Sequence, residues 1–308
     1  MRKLFWFHPL LSLLALMVLQ VLGLTAENME AQILPQTGLP SKVYLDKIPV
    51  GTLGEMTDAS RAVGFPSVSW TTPIVTVAFN GGNPGVYALI EATAFEWTSN
   101  GGRLKFSFRL GDGSFRKWND SDTSRTADIR IGFFTDAARD GYWSTVGTYA
   151  RRVNAGEATM NFGDLGATLS EYYEGKNHVE WLTSYAHTTI VHEFGHAIGL
   201  NHEHFHPQCQ TDLKLEEIVS YLMGPPNKWQ REQAMYNMDA TTYFVTVSAK
   251  PSFTPRIDQA SVMLYSFPDS FYKSGRTSPC RPSGPLHYAT ELSAEDRHYY
   301  AASYGSDH

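Results

Sequence analysis

Six of the chain's 11 histidines fall in one stretch, HTTIVHEFGHAIGLNHEHFH, from His187 to His206. Their spacing, more than their number, carries the chemistry. His192 and His196 are four apart, so on a helix they project from one face and can grip the same ion. Glu193 sits about 100° further round, close enough to reach a water on that ion without ligating it. Gly199 can take the left-handed conformation that ends a helix, which lets the chain turn and bring His202 back as a third ligand. Three imidazoles and a water form the open tetrahedral arrangement that catalytic zinc takes. One zinc ion is therefore expected on His192, His196 and His202, with Glu193 as general base. This pattern, HExxHxxGxxH, would occur by chance in a chain of this length roughly once in ten thousand. His187, His204 and His206 lack the spacing and read as rim or supporting residues.

These groups need a helix, a break after it and a scaffold behind. The helix is predicted from about Trp181 to Ile198, with Ile190, Phe194, Ala197 and Ile198 as its dry packing face. Upstream, Pro73–Phe79 is a β-branched run that reads as a strand. Asn83-Pro84 then offers an N-cap with proline at the first helical position, and Val86, Leu89, Ile90, Thr93 and Trp97 continue at helical spacing until Gly101-Gly102. Leu104–Leu110, Ala127–Phe134 and Ala158–Phe162 read as further strands. The C-terminal half is rich in loops, prolines and aromatics, until Ser293-x-x-Asp296 caps a last helix through about Ser303. Strands and helices mix without regular alternation, which favours an α+β fold over a doubly wound sheet.

The extended histidine motif, followed by a methionine-containing turn at Ser261-Val262-Met263-Leu264-Tyr265, resembles that of the metzincin metallopeptidases. The finer resemblance is to the astacin family. There the third histidine is followed by glutamate, as in His202-Glu203, and the turn reads S-x-M-x-Y. A segment similar to Trp143-Ser144-Thr145-Val146-Gly147 also lies upstream. The resemblance covers about Trp70 to the C-terminus. It implies a twisted, mostly parallel sheet with a backing and an active-site helix over a loop-rich C-terminal subdomain. The cleft would lie between residues 67–200 and 201–308. Met263 would form an apolar base under the ligands, and Tyr265 a hinged fifth ligand whose hydroxyl stabilises the oxyanion. Glu203 would receive the ammonium terminus freed by pro-segment removal.

The reaction so implied is peptide-bond hydrolysis. Glu193 takes the proton of the attacking water and passes it to the leaving amine, while substrate pairs along an edge strand, here expected at Met160–Phe162. Departures from the family are visible: Leu264 stands where histidine is frequent, and one disulfide at most replaces the usual two. The pro-segment latch F-x-G-D is absent, with Asp46 and Asp58 the only aspartates before Trp70. A serralysin-like or other metzincin endopeptidase is the alternative within the enzyme class, though the nonapeptide calcium repeats that the serralysin reading wants are missing from the C-terminus. A secreted, catalytically silent zinc module is the alternative outside it. Gly111-Asp112-Gly113 is a faint calcium signal and more often a turn. Asn119-Asp120-Ser121 matches a glycosylation sequon.

The remaining composition bounds the setting. Arg2 and Lys3, an apolar run over Leu10–Leu19 and small residues near Thr25-Ala26 describe a secretory signal peptide over residues 1–26, too short and too broken for a membrane span. Residues 27–66 read as a pro-segment or N-terminal arm, and 67–308 as the catalytic domain. Cys209 and Cys280 are the only cysteines; in an oxidising compartment they are expected to pair. A net charge of −6 excludes the basic face of a nucleic-acid binder. A secreted monomer acting on protein or peptide, with no stable membrane anchor, is expected.

Overall fold

The computed structural model describes residues 64, 66–99, 101–136, 139–165, 184–225, 228–247, 251–283 and 289–305. The expected signal peptide, and all of the expected arm except Gly64 and Pro66, lie outside these residues. Among the described residues no helix is long and apolar enough to cross a membrane.

The fold is α+β, built on a five-stranded sheet. Strand β1 (Ile74–Asn80) is the β-branched run IVTVAFN, with Val75, Val77 and Phe79 fully buried. It pairs in parallel with β2 (Lys105–Ser107) on one side and β3 (Ile129–Gly132) on the other. Strand β5 (Met160–Phe162) continues in parallel from β3, and β4 (Tyr142–Ser144) closes the order β2-β1-β3-β5-β4 as the one antiparallel member. Met160–Phe162 is therefore an interior strand and not the expected edge: it lies between β3 and β4 and is buried throughout. The outermost position on that side belongs to β4. Three residues, Tyr-Trp-Ser, are too few to show an alternation, so only the pairing reveals it.

Two polar side chains hold this side of the sheet. The Arg130 guanidinium is fully buried, and donates to the carbonyls of Ala127, Val153, Asn154 and Glu157. Asn161 donates to the carbonyls of Phe134, Arg139 and Gly141 and accepts from Phe134 N, which fixes the chain leading into β4.

Helix α1 (Pro84–Thr98) starts as its sequence demands: Asn83 Oδ1 accepts from Gly85 N and Val86 N, and proline occupies the first turn. It buries Val86, Ile90, Ala94 and Trp97 against the sheet and the central helix, and Gly101 (φ +84°) follows its end. The run Leu104–Leu110 forms a strand over Lys105–Ser107 alone. Beyond it the chain folds back at the exposed Asp112, whose Oδ1 accepts from Ser114 N and Ser114 Oγ, bonds that hold its carboxyl below the usual range. The Gly-Asp-Gly segment is thus a turn.

The central helix α2 (Tyr185–Ala197) lies behind the sheet, and its core face is Ile190, Val191, Phe194 and Ala197. Phe194 meets Phe106 of β2 edge-on at 4.9 Å. The C-terminal half carries more helix than its sequence suggests: α3 (Pro207–Asp212), α4 (Leu215–Met223), α5 (Arg231–Met238) and α6 (Ala240–Val247) precede the long loops. Helix α7 (Ala294–Tyr304) then begins with the expected capping box, Ser293 and Asp296 each bonding the other's main chain. A disulfide joins Cys209 of α3 to Cys280. Closing the 71-residue separation contributes about 4 kcal/mol in the chain-entropy view. Gly64 exchanges main-chain bonds with Ser252 and bridges Leu200, so the folded domain includes a residue upstream of Trp70.

Candidate metal centre

Each histidine of the motif owes its position to a local device. Ser184 Oγ accepts from His187 N and starts α2, so the phase of the helix is set eight residues before His192. The helix ends in a Schellman motif: Leu200 N donates to Gly195 O, Gly199 N donates to His196 O, and Gly199 sits at φ +102°. The remaining open carbonyls do not reach water. Ala197 O accepts from Trp70 Nε1 at 2.7 Å, and Ile198 O accepts from the Tyr304 hydroxyl at 2.7 Å. The chain then reverses and delivers His202.

The three rings converge. His196 Nε2 lies 3.1 Å from His192 Nε2 and 3.2 Å from His202 Nε2, and ligand atoms of all three fall within 4.8 Å of one another. The contact between His192 and His196 is not a hydrogen bond. His192 Nδ1 faces the Val262 carbonyl at 2.7 Å and His196 Nδ1 the Leu200 carbonyl at 2.9 Å. A carbonyl only accepts, so both Nδ1 atoms carry protons, and a neutral ring then has a bare Nε2. Neutral is the favoured state here: burial brings His196 down to about 4, and burial with neighbouring histidines holds His192 and His202 well below 6.5. Two bare nitrogens at 3.1 Å repel unless a cation lies between them. A tetrahedral zinc with Zn–N of about 2.0–2.1 Å separates its nitrogens by roughly 3.3 Å. The donor set fits that ion.

Around this cluster the structure places the other expected residues. Glu193 is completely buried on the turn between the first two histidines. The Tyr265 ring centre is 4.2 Å from that of His202 and 6.1 Å from that of His192. Met263 lies against α2 at Gly195, where any Cβ would overlap its Sδ. That glycine falls at an unspecified position of the motif, and its need for a bare Cα emerges only from the packing. Glu203 donates its N–H to Met263 O, and its Oε1 accepts from Asp258 N.

His187, His204 and His206 are not rim residues; all three are buried, because each ring has a main-chain or carboxylate partner inside. His187 Nε2 is 2.6 Å from Glu96 Oε1. His204 bonds Asn237 O through Nε2 and stacks on Tyr265 at 4.5 Å and 19°, and burial presses its pKa down to about 3. His206 bonds Thr254 O, and its Nδ1 accepts from Gln208 N at the start of α3. Nothing in the spacing announced these partners.

Fold and site together define an α+β protein of metzincin-like architecture with a buried three-histidine centre able to hold a metal ion. Among solved structures the chain is similar to myroilysin. One myroilysin structure matches at 27% identity and a TM-score of 0.57, covering 80% of this chain and 100% of that one. A second covers 90% and 96% at 27% identity and a TM-score of 0.50. A fainter likeness, at 14% identity and a TM-score of 0.43, covers 82% of this chain and 100% of high choriolytic enzyme 1, a hatching enzyme zinc-protease from Oryzias latipes (medaka fish). Neither a protein-family model nor a curated protein matches the chain.

Proposed function

We propose that this chain is a secreted, zinc-dependent endopeptidase of the astacin type. The observation that carries the reading is the convergence of three buried imidazoles, two of them with Nδ1 protons committed to carbonyls, with Glu193 beside them. Zinc held by His192, His196 and His202 would supply a Lewis acid that acidifies water and polarises a carbonyl oxygen. Glu193 takes the proton of the attacking water and hands it to the leaving nitrogen. The Tyr265 hydroxyl donates to the oxygen on which negative charge develops. Substrate lies extended along β4, the outermost strand on its side of the sheet, and pairs through main-chain bonds.

The disulfide supports an oxidising destination, in keeping with the signal peptide read over residues 1–26. Pairing of Gly64 with Leu200 and Ser252 favours a processing site upstream of Gly64. Glu193→Gln tests the chemistry. The variant should retain its zinc and lose casein hydrolysis by about 10²–10⁴-fold. A zinc-loaded variant that cleaves casein at the wild-type rate would sink the mechanism. A wild-type protein with bound zinc and no chelator-sensitive cleavage would point instead to a silent recognition module.

A further inference from the structure

Among the buried ionisable groups that the mechanism leaves without a part is the carboxyl of Asp296. It sits in the first turn of α7 at 1% exposure, facing the methionine turn. Its Oδ2 accepts from Val262 N at 3.1 Å and Ser293 N at 3.0 Å, and its Oδ1 accepts from Ser261 Oγ at 2.8 Å. Ser261 Oγ in turn accepts from Met263 N at 3.0 Å. That last N–H belongs to the same peptide group as the Val262 carbonyl, which faces His192 Nδ1 at 2.7 Å. One unbroken chain of hydrogen bonds therefore runs from α7 through a single peptide plane to the first histidine.

We propose that Asp296 is a positioning residue for the metal centre. By clamping the Val262–Met263 peptide it fixes the acceptor that sets the His192 ring angle and keeps its proton on Nδ1, leaving Nε2 bare for the ion. Partners of this kind orient imidazole ligands and raise their basicity, and their loss typically costs 10–100-fold in metal affinity. Bonds in series also polarise one another, so the clamp strengthens the acceptor it holds. The rival role is capping alone: Ser293 Oγ accepts from Asp296 N, and Asp296 would then only start α7.

The inference rests on the metal reading of the three histidines, but not on peptide hydrolysis. Its test is zinc affinity, by competition with a chelating dye, together with the d–d spectrum of the cobalt(II)-substituted protein and the melting temperature of the metal-free form. Asp296→Ala should weaken zinc about 10–100-fold and shift the cobalt bands. Asp296→Asn should restore both, since its Oδ1 can accept the two main-chain N–H groups while its amide donates to Ser261 Oγ. Ser293→Ala removes the cap and leaves the clamp, so it should lower the melting temperature with zinc affinity unchanged. Wild-type affinity and spectrum in Asp296→Ala would overturn the proposal, as would Ser293→Ala weakening zinc equally. If Asp296→Ala does not fold, Ser261→Ala decides: a several-fold loss of affinity supports the clamp, and none refutes it. Zinc bound in this order by a protein that never cleaves casein would sink the proposed activity alone.

Discussion

The chain up to Leu200 and the chain beyond it contribute unequal kinds of order to one site. The first part holds its main chain in ladders and helices: β1, β3 and β5 in parallel register, then α1 packed on α2. The second part, beyond its short helices, holds its long loops by side chains. Gln210 brackets His204 O, Met238 O and Ala240 N; Gln259 reaches Ser278 O and Arg281 O; Asp212 accepts from Ser274 N and Ser274 Oγ. His192 and His196 come from the first kind of order, and His202, Met263 and Tyr265 from the second. Periodic structure sets the pitch between two ligands; bracketed loops aim what must approach from outside the helix.

That contrast can be broken at its strongest point first. Replacing Cys209 and Cys280 with serine should destabilise the protein by about 4 kcal/mol in urea unfolding. Proteolytic nicking of the variant should begin in residues 201–305 and spare the sheet; cleavage starting in β1–β3 would mean that the two parts share one stability.

A smaller effect is expected from pH. Burial, with Asp258 nearby, raises the Asp296 carboxyl from 3.8 to about 6 against the hydrogen bonds that lower it. The folded state thus holds this proton more tightly than the unfolded chain. The resulting stabilisation is complete below about pH 3.8 and is lost as pH rises through about 6, a change of about 3 kcal/mol. The difference in unfolding free energy between wild type and Asp296→Asn should follow that curve; a difference flat from pH 4 to 7 would contradict it.

The smallest test lies in the ordered part. Asn83→Ala removes the acceptor for Gly85 N and Val86 N and should cost about 1 kcal/mol, with zinc affinity untouched. A loss of affinity there would show that the helices do not act as a rigid frame.

How much of this could be read beforehand follows the same division. Helices α1, α2 and α7 were legible because their caps and apolar spacing are local signals: Asn83-Pro84, the stripe Ile190–Phe194–Ala197, and Ser293 with Asp296. The convergence of His192, His196 and His202 followed from a helical period and one glycine. The four helices between Pro207 and Val247 went unread. Helix α5, REQAMYNM, lacks an apolar stripe, and α6, ATTYFVTV, is β-branched and reads as strand. It is helical because Asp239 caps it through Thr242 N and because Tyr243 stacks on Phe205 at 4.7 Å. The edge position of β4, the need for glycine at 195 and the grip of Asp296 depend on contacts between residues far apart in sequence, to which local pattern is blind.

The fastening at the end of α2 has a temporal meaning. Ile198 O is held by Tyr304, which follows it by 106 residues, and Ala197 O by Trp70, which precedes it by 127. On the ribosome the three histidines emerge long before the residue that locks the helix carrying two of them. The fastening at Ile198 is therefore completed only once α7 has been made, well after the synthesis of the ligands.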